Sequence, residues 1–310
     1  MRILISGASG LVGTALTHAL ISGGHTVGRL LRSASPQSSG RAASPNDVCW
    51  DPTAANLDSN TLAAMEGADA VVHLSGASIA GGRWTPERKE LLRSSRVDST
   101  RLLVNALAQL KRKPRVFIAA SAVGYYGNRG DEILTESSSP GAGFLSSVAR
   151  EWEAESARAE TIGVRTVILR FGVILSAKEG ALPQMLRPFR FGVGGRLGDG
   201  RQWISWIALD DVVGIILATL ADERSAGILN VVAPLPIRNA EFARIAAHVL
   251  HRPAIFLAPA FALRLLLGEM ADALLLASQR VVPERLLAKG YPFLFRDFET
   301  ALTFLLNTKS

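Results

Sequence analysis

The chain has 310 residues, 48% of them hydrophobic, and a formal net charge of +7. That length and apolar content exclude a disordered chain and allow a large core, in one big domain or a major domain with an appendage. The single cysteine, Cys49, excludes an internal disulfide and fits a reducing compartment, while the scattered basic residues, not interleaved with aromatics, argue against nucleic acid as a partner.

Met1 to Ile5 reads as a first strand and not as a secretory signal. The run ISGASGLVG, Ile5 to Gly13, follows directly, and Leu11, Val12, Ala15, Leu16, Ala19 and Leu20 then recur at helical spacing. Glycine at 7 permits a tight turn, glycine at 10 lets a pyrophosphate approach the backbone, and glycine at 13 lets helix and strand pack closely. Free N–H groups at the helix start then face the anion. Gly7, Ala8, Ser9, Gly10, Leu11, Val12 and Gly13 are therefore the expected cofactor-binding turn of a dinucleotide site. The alternative is an ordinary glycine-rich βα turn, but position and flanks both match the cofactor reading.

A second strand over Thr26–Leu31 ends in the run GRLLRS. An acidic residue there would bind the ribose hydroxyls of NAD, whereas a basic one pairs with the extra phosphate of NADP. Arg29 and Arg32 occupy that place, with Arg32, directly past the strand, the better candidate, so NADP(H) is favoured over NAD(H). Residues 33–46, rich in Ser, Pro and Gly, read as a surface loop.

Further apolar runs at Ala70–Leu74, Val116–Ala120, Arg165–Leu169 and Ile228–Val232 alternate with helical patterns near 11–24, 86–110, 144–161 and 210–222. The alternation predicts an α/β fold, a Rossmann-type doubly wound parallel sheet with helices on both faces. Leu74, Ser75, Gly76 and Ala77 end one of these strands, and their small size admits a ligand close to the backbone. His73 reads as a core histidine, and with no other histidine at ligand spacing no metal site is expected. Lys111 to Arg115 reads as a solvated turn, Glu153/Glu155 as a solvated helix face, and Asp210 as the N-cap of the helix that follows. After Pro234 and Pro236 the pattern is mostly helical, which divides the chain into a domain over 1–235 and a small, mainly helical module over 236–310. The apolar stretch Ala254 to Leu267 is broken by Pro259 and Arg264 and is too short to span a bilayer, so no membrane partner is expected.

The segments AVVHLSGASIAGGRWT, SRVDSTRLL, ASAVGYYG, LTE, FLSSVAREWE, LRFGVIL, GALPQML, GGRLGDGRQWISWIALDDVV and ASQRVVPERLLAKGYPF join ISGASGLVG along nearly the whole chain. Together they resemble the extended short-chain dehydrogenase/reductases, and more closely the atypical epimerase-family proteins with a small C-terminal domain of unknown function. The resemblance implies an NADP-binding Rossmann domain in the cytoplasm, with a small-molecule substrate between it and the C-terminal part. It assigns Leu74 to Ala77 to the cofactor ribose and adenine, and Ser121 to the oxygen of the reacting carbonyl or hydroxyl. It also assigns Gly192 to Trp206 to the substrate pocket, where Arg196, Arg201, Trp203 and Trp206 suit an anionic or ring-bearing ligand. The plainer reading there is a mobile loop whose tryptophans pack on the core. Trp84 and Lys89 are further candidates to line the cleft.

The chain departs from this family where proton transfer is done. Typical members carry a Tyr and, four residues later on one helix, a Lys that lowers the phenol's pKa. Here Phe144 or Leu145 falls at the first position and Val148 or Ala149 at the second, while Arg96 stands near a typical asparagine. Ser121 is what remains of that set, with Tyr125 or a water as proton donor. Two functions follow: an NADP-dependent oxidoreductase or epimerase acting on a polar hydroxyl or carbonyl compound, or a non-catalytic NADP-binding redox sensor or scaffold.

Overall fold

A computed structural model of the protein describes residues 1–32 and 44–307. The strand β1 (Arg2–Ser6) sends Ile3 and Ile5 into one core and Leu4 into the other, as an alternating strand covered on both faces does. A tight turn leads into α1 (Leu11–Ser22), whose Leu16 and Leu20 pack with Ile3 and Ile5. The strand β2 (Thr26–Arg32) returns parallel to β1. Of the expected surface loop at 33–46, residues 33–43 lie outside the described residues, and a turn closed by Asp47 N–H on the Ser44 carbonyl follows. The three-residue edge strand β3 (Val48–Trp50) and the short α2 (Ser59–Met65), capped by Asp58, carry too little periodicity to be read from sequence.

Next come β4 (Ala70–His73), α3 (Pro86–Gln109), started by a Thr85 cap with Pro86 behind it, and β5 (Val116–Ala122). The chain then forms β6 (Ile133–Leu134), α4 (Phe144–Ala157), β7 (Arg165–Phe171) and β8 (Val173–Leu175). After α5 (Ala181–Arg190) come the short β9 (Gly195–Leu197), β10 (Trp203–Ile204) and β11 (Trp206–Ala208), then α6 (Leu209–Ala221) and β12 (Gly227–Val231). Asp210 is not the N-cap of α6. The helix starts at Leu209, two residues earlier than such a cap implies, behind Ala208, and no side chain caps it. The buried Asp211 instead accepts from the N–H groups of Leu294 and Phe295 and ties the chain's end to α6; burial raises its pKa against those bonds.

Seven parallel strands form one sheet in the order β3-β2-β1-β4-β5-β7-β12. Helices α1 and α6 share the core on one face, and residues of α2 and α3 share the other. The architecture is the expected doubly wound Rossmann sheet. Strand order reverses between β1 and β4, so a crevice opens beyond their carboxyl ends, the place where such sheets bind ligands.

The remainder is β13 (Ile237–Arg238), α7 (Asn239–Leu250), β14 (Phe256–Ala258), α8 (Ala260–Leu267), a π-helical turn over Ala271–Leu276, β15 (Arg280–Val281), α9 (Glu284–Ala288) and α10 (Phe298–Asn307). It is mainly helical, yet its three strands pair with β10, β9 and β6 respectively. The buried Trp206 packs edge-on against Phe298 in a core that both parts build. Among the described residues no helix is long and apolar enough to cross a membrane.

Candidate active site

The glycine turn sits at the crevice between β1 and β4. Gly7 has φ +71°, a left-handed conformation that favours glycine, and a Cβ on it would lie 2.7 Å from the Leu74 carbonyl carbon. A Cβ on Gly13 would collide with the Gly7 carbonyl and stand 2.7 Å from Ala8 Cα, so α1 can lie this close to β1 only with glycine there. Gly10, the N-cap of α1, meets only the Gly7 carbonyl at 3.4 Å. No side chain caps α1 and no acid stands in its first turn, while Ser9 and Gly10 are exposed. An anion therefore meets open backbone and the positive end of a helix dipole. The cradle fits a dinucleotide diphosphate.

The two arginines of β2 separate. Arg29 is tied to Asp47, with bonds of 2.9 Å from Nε and 2.5 Å from Nη2, and those bonds raise its pKa. It is thus committed within the protein, whereas Arg32 is exposed at the carboxyl end of the strand. Leu74, Ser75 and Ala77 are half-buried and Gly76 is exposed, directly opposite the glycine turn.

Arg96 of α3 reaches behind this segment, donating to the Ala77 carbonyl at 2.9 Å and the Leu92 carbonyl at 3.0 Å, with its guanidinium over the Trp152 ring. Burial, with Arg88 adding like charge, pushes it down to about 10. His73 is a core residue as expected. Ser6 Oγ lies 2.5 Å from its Nδ1 and Thr100 Oγ1 2.9 Å from its Nε2, and burial pushes its pKa down to about 4.

At the ends of the next strands the structure assembles a buried polar network that sequence reasoning missed. Ser121 of β5, Arg170 of β7 and Asn230 of β12 share one register position across the sheet, and all three are buried. Ser121 Oγ donates to Glu153 Oε1 at 2.6 Å, and Arg170 grips the same carboxylate with two bonds of 2.8 and 2.7 Å. Glu153 is thus no part of a solvated helix face. It lies on the inner side of α4 with Val148, Ala149, Trp152 and Ser156, and only Glu155, paired with Arg101 and Arg158, keeps partial exposure. The Tyr126 hydroxyl accepts from Arg170 at 2.9 Å and lies 2.7 Å from Asn230 Oδ1; burial pushes its pKa up to about 12. The signal lay in the sequence: a charge inside the apolar run RTVILRF, and an acid in phase with the buried stripe of its helix.

Tyr125 stands in a single 3-10 turn, Val123–Tyr126, with the Arg170 guanidinium 3.4 Å from its ring centroid. It lines a cavity of about 510 Å³ with Glu153 and with Ser147, Arg150, Glu151 and Ala154 of α4. A second cavity, of about 390 Å³, lies along β3 and α2 at the outer edge of the sheet, two strands from the glycine turn. Phe144, the first residue of α4, meets the Trp84 ring edge-on and lies 5.2 Å from the Lys89 ammonium, which pairs with Glu269. In the segment from Gly192 to Trp206, Trp206 packs in the core, whereas the Trp203 ring has the guanidinium groups of Arg238 and Arg280 4.5 and 4.6 Å from its centroid and donates to Asp131. Arg196 and Arg201 are exposed. Among the described residues no group of three or more acids, histidines or cysteines is placed to hold a metal.

Residues 3–231 match the model of the NAD dependent epimerase/dehydratase family, and residues 258–305 match a domain of unknown function, DUF1731. Epimerase family protein MT2273 of Mycobacterium tuberculosis is 39% identical over 291 residues, covering 94% of this chain and 93% of its own length. A chloroplastic epimerase family protein SDR39U1 homolog of Arabidopsis thaliana is 35% identical over 306 residues, 97% of this chain and 86% of its own length. Among solved structures, human epimerase family protein SDR39U1 (isoform 2) with NADPH superimposes with a TM-score of 0.87 at 33% identity and covers 100% of both chains.

Proposed function

We propose that this chain, which belongs to the NAD dependent epimerase/dehydratase family, is an NADP(H)-dependent oxidoreductase or epimerase acting on a small polar hydroxyl or carbonyl compound. The observation that carries the reading is the uncapped, acid-free start of α1 behind a turn in which Gly7 and Gly13 exclude any Cβ. The human structural neighbour crystallised with NADPH supports the choice of dinucleotide. In this reading Gly7 to Gly13 hold the diphosphate, Arg32 meets the 2′-phosphate, and Leu74 to Ala77 line the ribose. Arg29, bound to Asp47, serves that end of the site by holding β2 against the turn before β3. The bound nicotinamide supplies the hydride donor or acceptor.

Proton transfer falls to this chain's own side chains. A substrate hydroxyl that gives its proton to Ser121 Oγ lets Ser121 pass its own proton to Glu153, 2.6 Å away. Arg170 holds both oxygens of that carboxylate in place beside Ser121, and Tyr125 is the second proton donor. Reduction of a carbonyl runs the same path in reverse. The single cysteine supports a reducing, cytoplasmic setting.

One observation favours the second reading, a non-catalytic NADP-binding sensor or scaffold: the Ser121 hydrogen is already engaged by Glu153, inside the protein. The two readings separate in one experiment. The full chain is titrated with NADPH and NADH, then assayed for cofactor oxidation across a panel of carbonyl compounds and sugar nucleotides. Turnover lost in Ser121→Ala and Tyr125→Phe supports the enzyme, and turnover untouched by both removes these assignments. Tight NADPH binding without oxidation supports the sensor, and no binding of either dinucleotide ends both readings.

A further inference from the structure

No residue of α8 is buried, although its sequence is AFALRLLL. Phe261, Leu265 and Leu266 are 73%, 81% and 68% exposed. The segment before it, Ile255 and the β14 residues Phe256 and Leu257, is exposed as well. Phe256 N–H bonds the Gly194 carbonyl, which brings Val193 and Phe191, also exposed, alongside. A soluble domain leaves single apolar side chains in water, but a set gathered from α8, the segment before it and the neighbouring 191–193 turn marks a surface that something else covers.

The charge beside this face has one sign in excess. Arg83 donates to the Leu265 carbonyl, Arg187 lies 6.0 Å from the Phe191 ring, and Arg252 is exposed three residues before Ile255. Of the carboxylates nearby, Glu269 and Asp272 are paired with Lys89 and Arg264, and Asp199, beside Gly198, accepts from the Arg201 N–H, against three arginines placed at the face. Two copies meeting through this face about a two-fold axis would set these cations against each other. A surface of anionic headgroups meets both features at once: acyl chains take the aromatic and leucine side chains, and the headgroups take the arginines.

We propose that α8, β14 and the 191–193 turn form a docking face for a bilayer surface bearing anionic headgroups. Docking is interfacial, with no segment crossing, and it holds the protein by its C-terminal part. It departs from the sequence-based expectation of no membrane partner, which rested on the absence of a spanning segment. It also stands whether or not the protein is an enzyme.

The test is co-sedimentation of the full chain with vesicles of phosphatidylcholine alone and of phosphatidylcholine with phosphatidylglycerol. Binding to the anionic vesicles is expected. It should fall at least about tenfold in the double variant F261E/L265E and fall again in about 0.5 M NaCl. Both substitutions are at exposed positions, and unchanged thermal melting of the variant confirms its fold. Should that variant fail to fold, R187E/R252E replaces it, with loss expected on anionic vesicles alone. No binding to either vesicle, or equal binding by a folded variant, overturns the proposal. A dimer in ultracentrifugation that F261E/L265E abolishes, without vesicle binding, assigns the face to a second copy and overturns it equally.

Discussion

Ser121 and Arg170 stand side by side on neighbouring strands, at one register position, and bind the same Glu153 carboxylate from α4. Three elements are thereby fixed to one another by a buried ion pair with a neutral donor as its third member. Such a cluster gains little over an apolar one of the same shape, but it is costly to leave half-made, because a lone buried charge keeps its full desolvation penalty. It holds β5, β7 and α4 in alignment beside the crevice at the carboxyl ends of β1 and β4.

Stability should therefore respond unequally to its members. Glu153→Ala strands the Arg170 guanidinium and is expected to cost about 3–5 kcal/mol. Ser121→Ala removes one hydrogen bond to a charged acceptor and should cost roughly 1.5–3 kcal/mol. Urea unfolding of the two variants checks the order, and equal losses would contradict it.

The glycines of the turn do different jobs. Gly13→Ala drives a Cβ into the Gly7 carbonyl and should lower the melting temperature even without cofactor. Gly10→Ala meets only one backbone oxygen at 3.4 Å, so its fold should be nearly unchanged. It should still bind NADPH at least about tenfold more weakly, because the methyl intrudes where the diphosphate approaches. Calorimetric titration beside a melting curve separates the two effects.

Arg32→Glu replaces the exposed cation at the end of β2 with an acid. The preference for NADPH over NADH should drop by roughly 10–100-fold, the worth of a charge-assisted phosphate contact, and NADH binding should hold or improve. An unchanged NADPH preference would remove Arg32 from the site.

His73 gives the fold a pH dependence of known sign. Burial lowers its pKa from 6.5 to about 4, so the unfolded chain binds the proton more readily than the folded one. The stabilisation is fully present above pH 6.5 and is lost as the pH falls towards 4, about 3 kcal/mol over that window. Denaturant unfolding between pH 7 and 4 should show the slope. His73→Gln should flatten its share, whatever the acidic groups contribute beneath it.

The tight glycine turn at the start of α1 was legible because its geometry is local. Gly7, Gly10 and Gly13 are set by backbone geometry within seven consecutive residues, and the helix that follows is periodic. Arg29 and Arg32 looked alike in the run GRLLRS, and only the approach of Asp47, eighteen residues on, separated a committed cation from an exposed one. Glu153 was misread for a related reason. Its phase with the buried stripe of α4 marks it as inward-facing, but only the distant strands supply its partners, Ser121 and Arg170. Asp210 caps nothing, and what Asp211 does was hidden in the same way, since the N–H groups that it satisfies belong to Leu294 and Phe295.

The amino-acid order alone determined the alternating strands and helices, the glycine turn and the mainly helical end, because hydrophobic period and glycine geometry act between near neighbours. Tertiary structure decided which charges were buried together: Ser121, Arg170 and Glu153 meet only once β5, β7 and α4 are packed. It also decided that α8 would be left without cover, since an apolar helix reads the same whether it enters a core or faces water. Contacts across tens of residues depend on how whole elements stack, and no local pattern encodes that.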